Sequence, residues 1–248
     1  MWRKSTELDR IVDIHCHILP TLDDGSGSME ETLEMLQIAV DAGITDIIAT
    51  PHFKAGRHNA STATIRKRLI EVHRAAEQNG IYVNLYPGNE IFFFSELEEA
   101  IEEGRICTMN QSQYVLIEFS PTDSYRHIRN ALEHVMSLEL FPIIAHVERY
   151  GCMLEDWTNV ESIRAMGTEI QINAPSIAGE VGPKVKKFTG RLLDKHLVDY
   201  IGTDAHDSKS RTPDIQKCLK QLLKRYEFSY VEKILCGNAM KLLSPQEL

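Results

Sequence analysis

The sequence predicts an α/β protein organised around a mainly parallel sheet, and three observations predict it. Short β-branched runs alternate with longer amphipathic segments along the whole chain. Most of the short runs are continuously apolar rather than alternating, as strands covered on both faces require. The length of 248 residues lies in the range that an α/β barrel fills as one unit, and such a chain can bury ~70–75% of its unfolded surface. A single domain over residues 1–248 is the expectation.

Taken in order, the elements form seven strand–helix units. The first strand is Ile11–Ile14. Ser28 followed by Glu31 makes a capping box, and the helix it opens carries Leu33, Leu36 and Val40 on its apolar side until Gly43 stops it. Further strands are read at Ile44–Ala49, Tyr82–Tyr86, Tyr114–Phe119, Pro142–Ala145, Glu169–Ile172 and Val198–Ile201. Helical periodicity places helices over about 61–79, 95–103, 124–139, 159–166, 184–196 and 212–226, and a last one over about 229–243. The polar loops 16–28 and 52–60 follow the carboxyl ends of the first two strands, where barrels and doubly wound sheets hold their sites. No repeat, low-complexity tract or Pro/Gly/Ser-rich linker divides the chain.

Composition removes several classes. A hydrophobic fraction of 43% and a charged fraction of 25% exclude disorder and fibrous repeats. A net charge of −9 disfavours nucleic-acid binding through bulk charge, because there is no excess of cations to displace counterions. The amino terminus has no apolar stretch fit for a signal peptide, and no run of about 18 apolar residues suggests membrane insertion. The five cysteines (Cys16, Cys107, Cys152, Cys218, Cys236) are odd in number and irregular in spacing, which fits free thiols in a reducing cytoplasmic setting.

The chemistry-bearing residues collect at strand ends. His15 and His17 sit two apart, so extended backbone points both imidazoles the same way. The second strand ends at Thr50-Pro51-His52, the third runs into Gly88-Asn89-Glu90, and the fourth contains Glu118 in an apolar run. The fifth ends in His146 and the seventh in Asp204-Ala205-His206. Each residue alone has a bland reading, with Glu118 paired to a core Arg or His52 capping a turn. Together, six of seven strands deliver an ionisable group to one end, and burying so many without compensation costs several kcal/mol apiece. Divalent metal ions are the natural compensation.

The candidate ligands are His15, His17, Asp24, His52, Glu90, Glu118, His146, Asp204 and His206, too many for one ion and suited to two or three, with Glu90 the favoured bridge. Imidazole and carboxylate without thiolate point to manganese, iron or zinc in a catalytic role. His58, His73, His127, His134 and His196 are read as solvated. Four carboxylates against three divalent ions leave a charge of about +2, before Arg149 and Arg211 are added. Such a pocket suits an anion, and a phosphate ester gripped by the two guanidiniums fits. A cysteine-phosphatase loop, a Walker-type phosphate loop and a nucleophile elbow are all absent from the sequence.

The segments IVDIHCHILPTLDDGSGSMEET, IIATPHF, PGNEI, LIEF, IIAHVERY and GTDAHDSKSR, in this order, resemble the polymerase-and-histidinol-phosphatase (PHP) superfamily. They are most similar to its bacterial tyrosine-protein phosphatases of capsule and exopolysaccharide operons. The resemblance implies a distorted TIM-like (β/α)7 barrel with three divalent metal ions, usually manganese. It assigns His15, His17, Glu90 and Asp204 to one ion, Glu90, Glu118 and His146 to a second, and Asp24, His52 and His206 to a third. Arg149 and Arg211 match the phosphate-binding arginines, so the catalytic expectation rests on Arg149, Arg211 and His52. Val147 departs from the Pro usual between the His and Glu of this motif, which bears on the loop carrying Arg149.

The expected reaction is hydrolysis of phosphotyrosine by a metal-bridging hydroxide, with no covalent phosphoenzyme. The partner implied is a phosphotyrosine protein, the tyrosine-rich tail of a bacterial tyrosine kinase. The rival within enzymes is a histidinol-phosphate or nucleotide phosphoesterase using the same cluster. An amidohydrolase would carry a bridging lysine where this chain has Glu118. An inactive, metal-stabilised binding module is the rival outside enzymes, and the intact ligand set argues against it.

Overall fold

The computed structural model describes residues 8–244; the ends of the expected 1–248 domain lie outside the described residues. Among the described residues nine strands occur, β1 (Val12–Cys16), β2 (Asp46–Ala49), β3 (His52–Phe53), β4 (Asn84–Pro87), β5 (Glu90–Phe92), β6 (Tyr114–Glu118), β7 (Phe141–Ile144), β8 (Glu169–Asn173) and β9 (Tyr200–Gly202). They correspond to seven units, because two of the expected strands are broken. The second runs as β2 and resumes as β3 after Thr50-Pro51, where proline offers no N–H to a ladder. The third runs as β4 and resumes as β5 after Gly88-Asn89.

All pairings are parallel. One ladder has the order β1-β2-β4 and the other β3-β5-β6-β7-β8-β9. The breaks carry one ladder into the other, and a bridge between Cys16 and Ala205 brings the first strand alongside the last. Two backbone hydrogen bonds reinforce that seam, Asp204 N to His15 O and His17 N to Ala205 O, both 2.8 Å. The sheet thus curls round on itself, as the distorted barrel implied by the family resemblance does.

Local chemistry explains the helices that position the site. Ser28 Oγ accepts from Glu31 N at 3.2 Å, while Glu31 reaches back to Gly27 N at 2.8 Å. This box starts the helix Met29–Asp41, which buries Met35, Leu36 and Ala39. The expected strand at Tyr82–Tyr86 begins two residues later, since Tyr82 is exposed and Ile81 and Val83 turn into the core. The expected helix over 212–226 starts only at Gln216, after Pro213. The final helix splits into Phe228–Leu235 and Met240–Leu243, with Cys236 at φ −143° between them. Short helices at Gly151–Glu155 and Ala174–Ala178 are below the length that periodicity can reveal.

A core cluster including Val12, Ile14, Ile48, Leu116, Ile143 and Tyr200 is sealed by Leu242 and Leu243. Leu116 and Glu118 lie two apart on one side of β6, so this apolar plug continues into the polar site. All five cysteines are free thiols, as expected. Among the described residues no helix is long and apolar enough to cross a membrane.

Candidate metal centre

The nine expected ligands converge at the carboxyl ends of the strands. His15 and His17 point their Nε2 atoms at one another across 3.2 Å. Glu90 Oε2 stands 3.2 Å from each of them and 3.0 Å from His52 Nδ1. Asp204 Oδ1 completes this inner group at 3.6 Å from His15 and 3.7 Å from His17. Donor atoms around one ion with bonds of ~2.1 Å are themselves ~3.0–3.4 Å apart, so the inner spacing matches a ligand shell. His146 Nε2 lies 2.7 Å from Glu90 Oε1 and 3.8 Å from Glu118 Oε1. At the rim, His52 Nε2 is 3.3 Å and His206 Nε2 3.6 Å from Asp24 Oδ1.

Three donor sets could each hold an ion: His15, His17, Glu90 and Asp204; His17, Asp24, His52 and His206; and His52, Glu90 and Glu118. His146 lies against the carboxylates of the last set. His52 presents one ring nitrogen to the rim set and the other to the Glu90–Glu118 set. Fit to a cation is supported from a second direction. His52 Nδ1, Glu90 Oε2 and Glu118 Oε2 are buried atoms without a hydrogen-bond partner. His52 Nδ1 lies 3.0 Å from Glu90 Oε2 and 3.8 Å from Glu118 Oε2.

Behind the ligands a second layer fixes which nitrogen faces inward. His17 Nδ1 donates to Asp23 Oδ2 at 2.7 Å, His15 Nδ1 to Gln171 Oε1 at 3.3 Å, and His206 Nδ1 to the carbonyl of Asp204 at 2.9 Å. Gln171 Oε1 also accepts from His146 N at 2.7 Å, and Asn173 Nδ2 donates to Asp204 Oδ2 at 2.8 Å. Asp23 Oδ2 additionally accepts from His52 N at 2.9 Å. His146 and Asp204 hold φ of +30° and +53°, the left-handed region that costs a non-glycine residue ~1–3 kcal/mol and clusters at functional sites. Gly25 allows the first loop to fold over His17, since a Cβ there would stand 2.2 Å from His17 O.

Charge in the cluster is polarised without any ion. Burial raises the Glu90 carboxyl, but His15, His146 and His17 outweigh it and hold the group well below the usual range. Burial likewise disfavours the His17 imidazolium, yet Asp23 and Glu90 push its pKa up to about 10. The same contacts set Asp23 at about 2 against its own desolvation. Burial and the neighbouring His17 lower His206 to about 4. Buried carboxylates here demand positive charge, which protonated imidazoles and guanidiniums supply and divalent ions could equally supply.

Arg149 and Arg211 both reach Asp204, Arg149 through Nη2 to Oδ2 and Arg211 through Nη2 to Oδ1 at 3.0 Å. Each is less than half exposed, and both line a cleft of about 680 Å³ that opens beside Asp204. Val147 is fully buried and starts a helical turn in which Arg149 N donates to His146 O at 2.8 Å, so the loop carrying Arg149 is well formed without the proline. Sequence reasoning missed Gln171, Asn173 and the hydrogen-bonding role of Asp23. It also missed Lys54, whose Nζ lies 3.6 Å from Glu118 Oε2. The period-two alternation of polar Glu169, Gln171 and Asn173 with Ile170 and Ile172 along β8 was the available signal.

The fold and site define a curled parallel α/β barrel that carries, at the carboxyl ends of its strands, imidazole and carboxylate groups that could hold metal ions. The chain belongs to the family described as "Capsular polysaccharide synthesis, CpsB/CapC", whose model matches residues 11–244. It is 33% identical over 239 residues to the tyrosine-protein phosphatase YwqE of Bacillus subtilis (strain 168), covering 96% of this chain and 93% of that protein. It is 30% identical over 241 residues to the tyrosine-protein phosphatase CpsB of Streptococcus pneumoniae, covering 95% and 99%. A crystal structure described under YwqE from Bacillus subtilis and CpsB from Streptococcus pneumoniae, "unique metal-dependent tyrosine phosphatases", superposes with a TM-score of 0.88 at 32% identity, covering 96% of each chain. Histidinol phosphate phosphatase from Lactococcus lactis shares the fold, with a TM-score of 0.57 at 16% identity over 88% of this chain and 94% of that one.

Proposed function

We propose that the chain, acting as one domain over 1–248, is a metal-dependent protein-tyrosine phosphatase. The observation that carries the reading is Glu90 Oε2, without a hydrogen-bond partner and within 3.2 Å of imidazole nitrogens of His15, His17 and His52. The family and the names of its relatives supply the phosphotyrosine substrate. Three divalent ions, manganese before iron or zinc, would when bound supply Lewis acidity toward phosphoryl oxygens and an acidified water as nucleophile. His15, His17, Glu90 and Asp204 would hold the first, Glu90, Glu118 and His146 with His52 the second, and Asp24, His52 and His206 the third.

The chain's own groups do the rest. Arg149 and Arg211 grip the phosphoryl oxygens at the cleft edge and spread their negative charge as the transition state develops. Asp204 holds both guanidiniums in place until substrate arrives, and Asn173 keeps Asp204 oriented. Asp23 and Gln171 lock the tautomers of His17 and His15. The departing phenolate, with a pKa near ~10, leaves without a strong acid. The physiological substrate is proposed to be the tyrosine-rich tail of a bacterial tyrosine kinase in the cytoplasm.

The full chain loaded with manganese is expected to hydrolyse a phosphotyrosine peptide and leave histidinol phosphate and a single-stranded oligonucleotide intact. Exhaustive chelation abolishes turnover and re-addition of metal restores it. Undiminished hydrolysis by the chelated protein, or preference for histidinol phosphate, refutes the reading.

A further inference from the structure

The chain has a net charge of −9, yet residues 183–225 hold 11 Lys and Arg against 5 Asp, a local net of +6. Most of these cations stand on two helices, Pro183–Asp194 and Gln216–Arg225, that both pack on the short helix Ala174–Ala178. A groove of about 610 Å³ lies there, with Ile177, Leu193 and Leu222 in its floor and the exposed Lys186, Lys224 and Arg225 along it.

Only part of this charge is compensated. Arg225 pairs with Asp194 at 2.5 Å and Lys217 with Glu180 at 2.8 Å. Lys184, Lys186, Lys187, Lys220 and Lys224 form no ion pair among the described residues. Lys217, Lys220 and Lys224 recur three and four apart on one helix face, a spacing at which like charges weaken a helix. The Glu180 pair accounts for Lys217 and the helix dipole for Lys224 in the last turn, whereas Lys220 has neither.

The groove is next to the cleft of the candidate active site. Lys186 Nζ and Gln221 Nε2 both donate to Ala178 O, at 3.4 and 3.1 Å. Two residues further on, Glu180 and Val181 line the cleft that holds Arg149 and Arg211. Val181 is 57% exposed at this crossing, an apolar step between groove and cleft.

We propose that this groove docks an acidic segment of the polypeptide that carries the phosphotyrosine, an inference that rests on the phosphatase reading above. An acidic enzyme repels an acidic substrate everywhere except where its field inverts, and the inversion here adjoins the phosphate-binding arginines. The concave shape with an apolar floor accommodates alternate side chains of an extended strand, which a flat lipid surface does not present.

The test compares the metal-loaded full chain with a K186E/K187E/K220E/K224E variant and with its milder Gln counterpart. Substrates are a phosphotyrosine peptide with Asp/Glu flanks, one with Ala/Ser flanks, and p-nitrophenyl phosphate. In the Glu variant KM for the acidic peptide rises about tenfold with kcat unchanged, the Gln variant shows a smaller rise, and salt raises the wild-type KM for that peptide. The neutral peptide and p-nitrophenyl phosphate are unaffected, which also shows that the variants are folded. An unchanged KM for the acidic peptide overturns the proposal, as does an equal rise for both peptides. Binding of wild type to phosphatidylserine vesicles that the variant loses, with KM unmoved, overturns it in favour of a membrane surface. If the Glu variant loses p-nitrophenyl phosphate turnover, the Gln variant decides by the same KM comparison. A wild type inert toward all three substrates refutes the phosphatase reading itself.

Discussion

Asp23 shows how much of the site works through residues that never face its centre. Its Oδ2 accepts from His17 Nδ1 at 2.7 Å and from the His52 amide at 2.9 Å, so one carboxylate orients two of the proposed ligands. Carboxylate partners of this kind contribute ~10–100-fold in metal affinity, and Asp23→Asn should weaken manganese binding by that order in an isothermal titration while the fold persists. The pH dependence follows from the same pair. In demetallated protein the proton on His17 stabilises the fold fully below the ordinary imidazole value of ~6.5, and that contribution fades as pH climbs through about 10. Metal binding has the opposite sign, because the proton must leave before the nitrogen can coordinate. Affinity therefore rises with pH between those values, and titrating metal into weakly buffered protein at pH 7 should release protons. A pH-independent affinity with no proton release contradicts the arrangement at His17. The gathering of histidines and carboxylates at strand ends was legible in the sequence because their residue types and positions mark them directly. Gln171 and Asn173 were not, since an amide becomes meaningful only through the neighbour it meets.

Among the elements, the seven-unit count was readable because β-branched runs recur between amphipathic helices, whereas the interruptions at Thr50-Pro51 and Gly88-Asn89 were not. Those interruptions are what place His52 and Glu90 opposite one another, in register across β3 and β5. Strand pairing over two or three residues leaves no periodic trace, so a ligand's partner strand is decided by tertiary packing. The seam between β1 and β9 is similarly silent in sequence. Gly202 permits it, as a Cβ there would come within 2.6 Å of His15 Cβ. Gly202→Ala is expected to destabilise by ~1–3 kcal/mol through overpacking and to weaken metal binding by displacing His15. Thermal unfolding with and without manganese separates the two effects, and a variant that melts and binds as wild type would show that the contact has slack.

At the scale of the whole molecule, the proposed ligands span the seam where the first strand meets the last. His15 and His17 come from β1 and the turn after it, Asp204 and His206 from beyond β9, and the two ends are joined by one bridge, two backbone hydrogen bonds and the buried Asp13, whose carboxylate accepts from Thr203 N at 3.0 Å and from the Thr203 hydroxyl. Ions bound by both sides would fasten the first strand to the last, joining parts of the chain nearly two hundred residues apart. Binding to the native state alone stabilises it by ~2.7 kcal/mol at a free concentration of 100 Kd, equivalent to a rise of about 5–10 °C in Tm for a chain of this size. Hydrogen exchange should localise the gain, because local opening is least costly where contacts are few. Amides of β1 and of residues 200–206 are expected to gain protection on loading far more than those of β6 and β7, each of which pairs with a strand on either side. Uniform protection across the sheet would mean that metal stabilises the fold only globally, and no gain at the seam would separate His15 and His17 from Asp204 and His206 as ligands of a common centre.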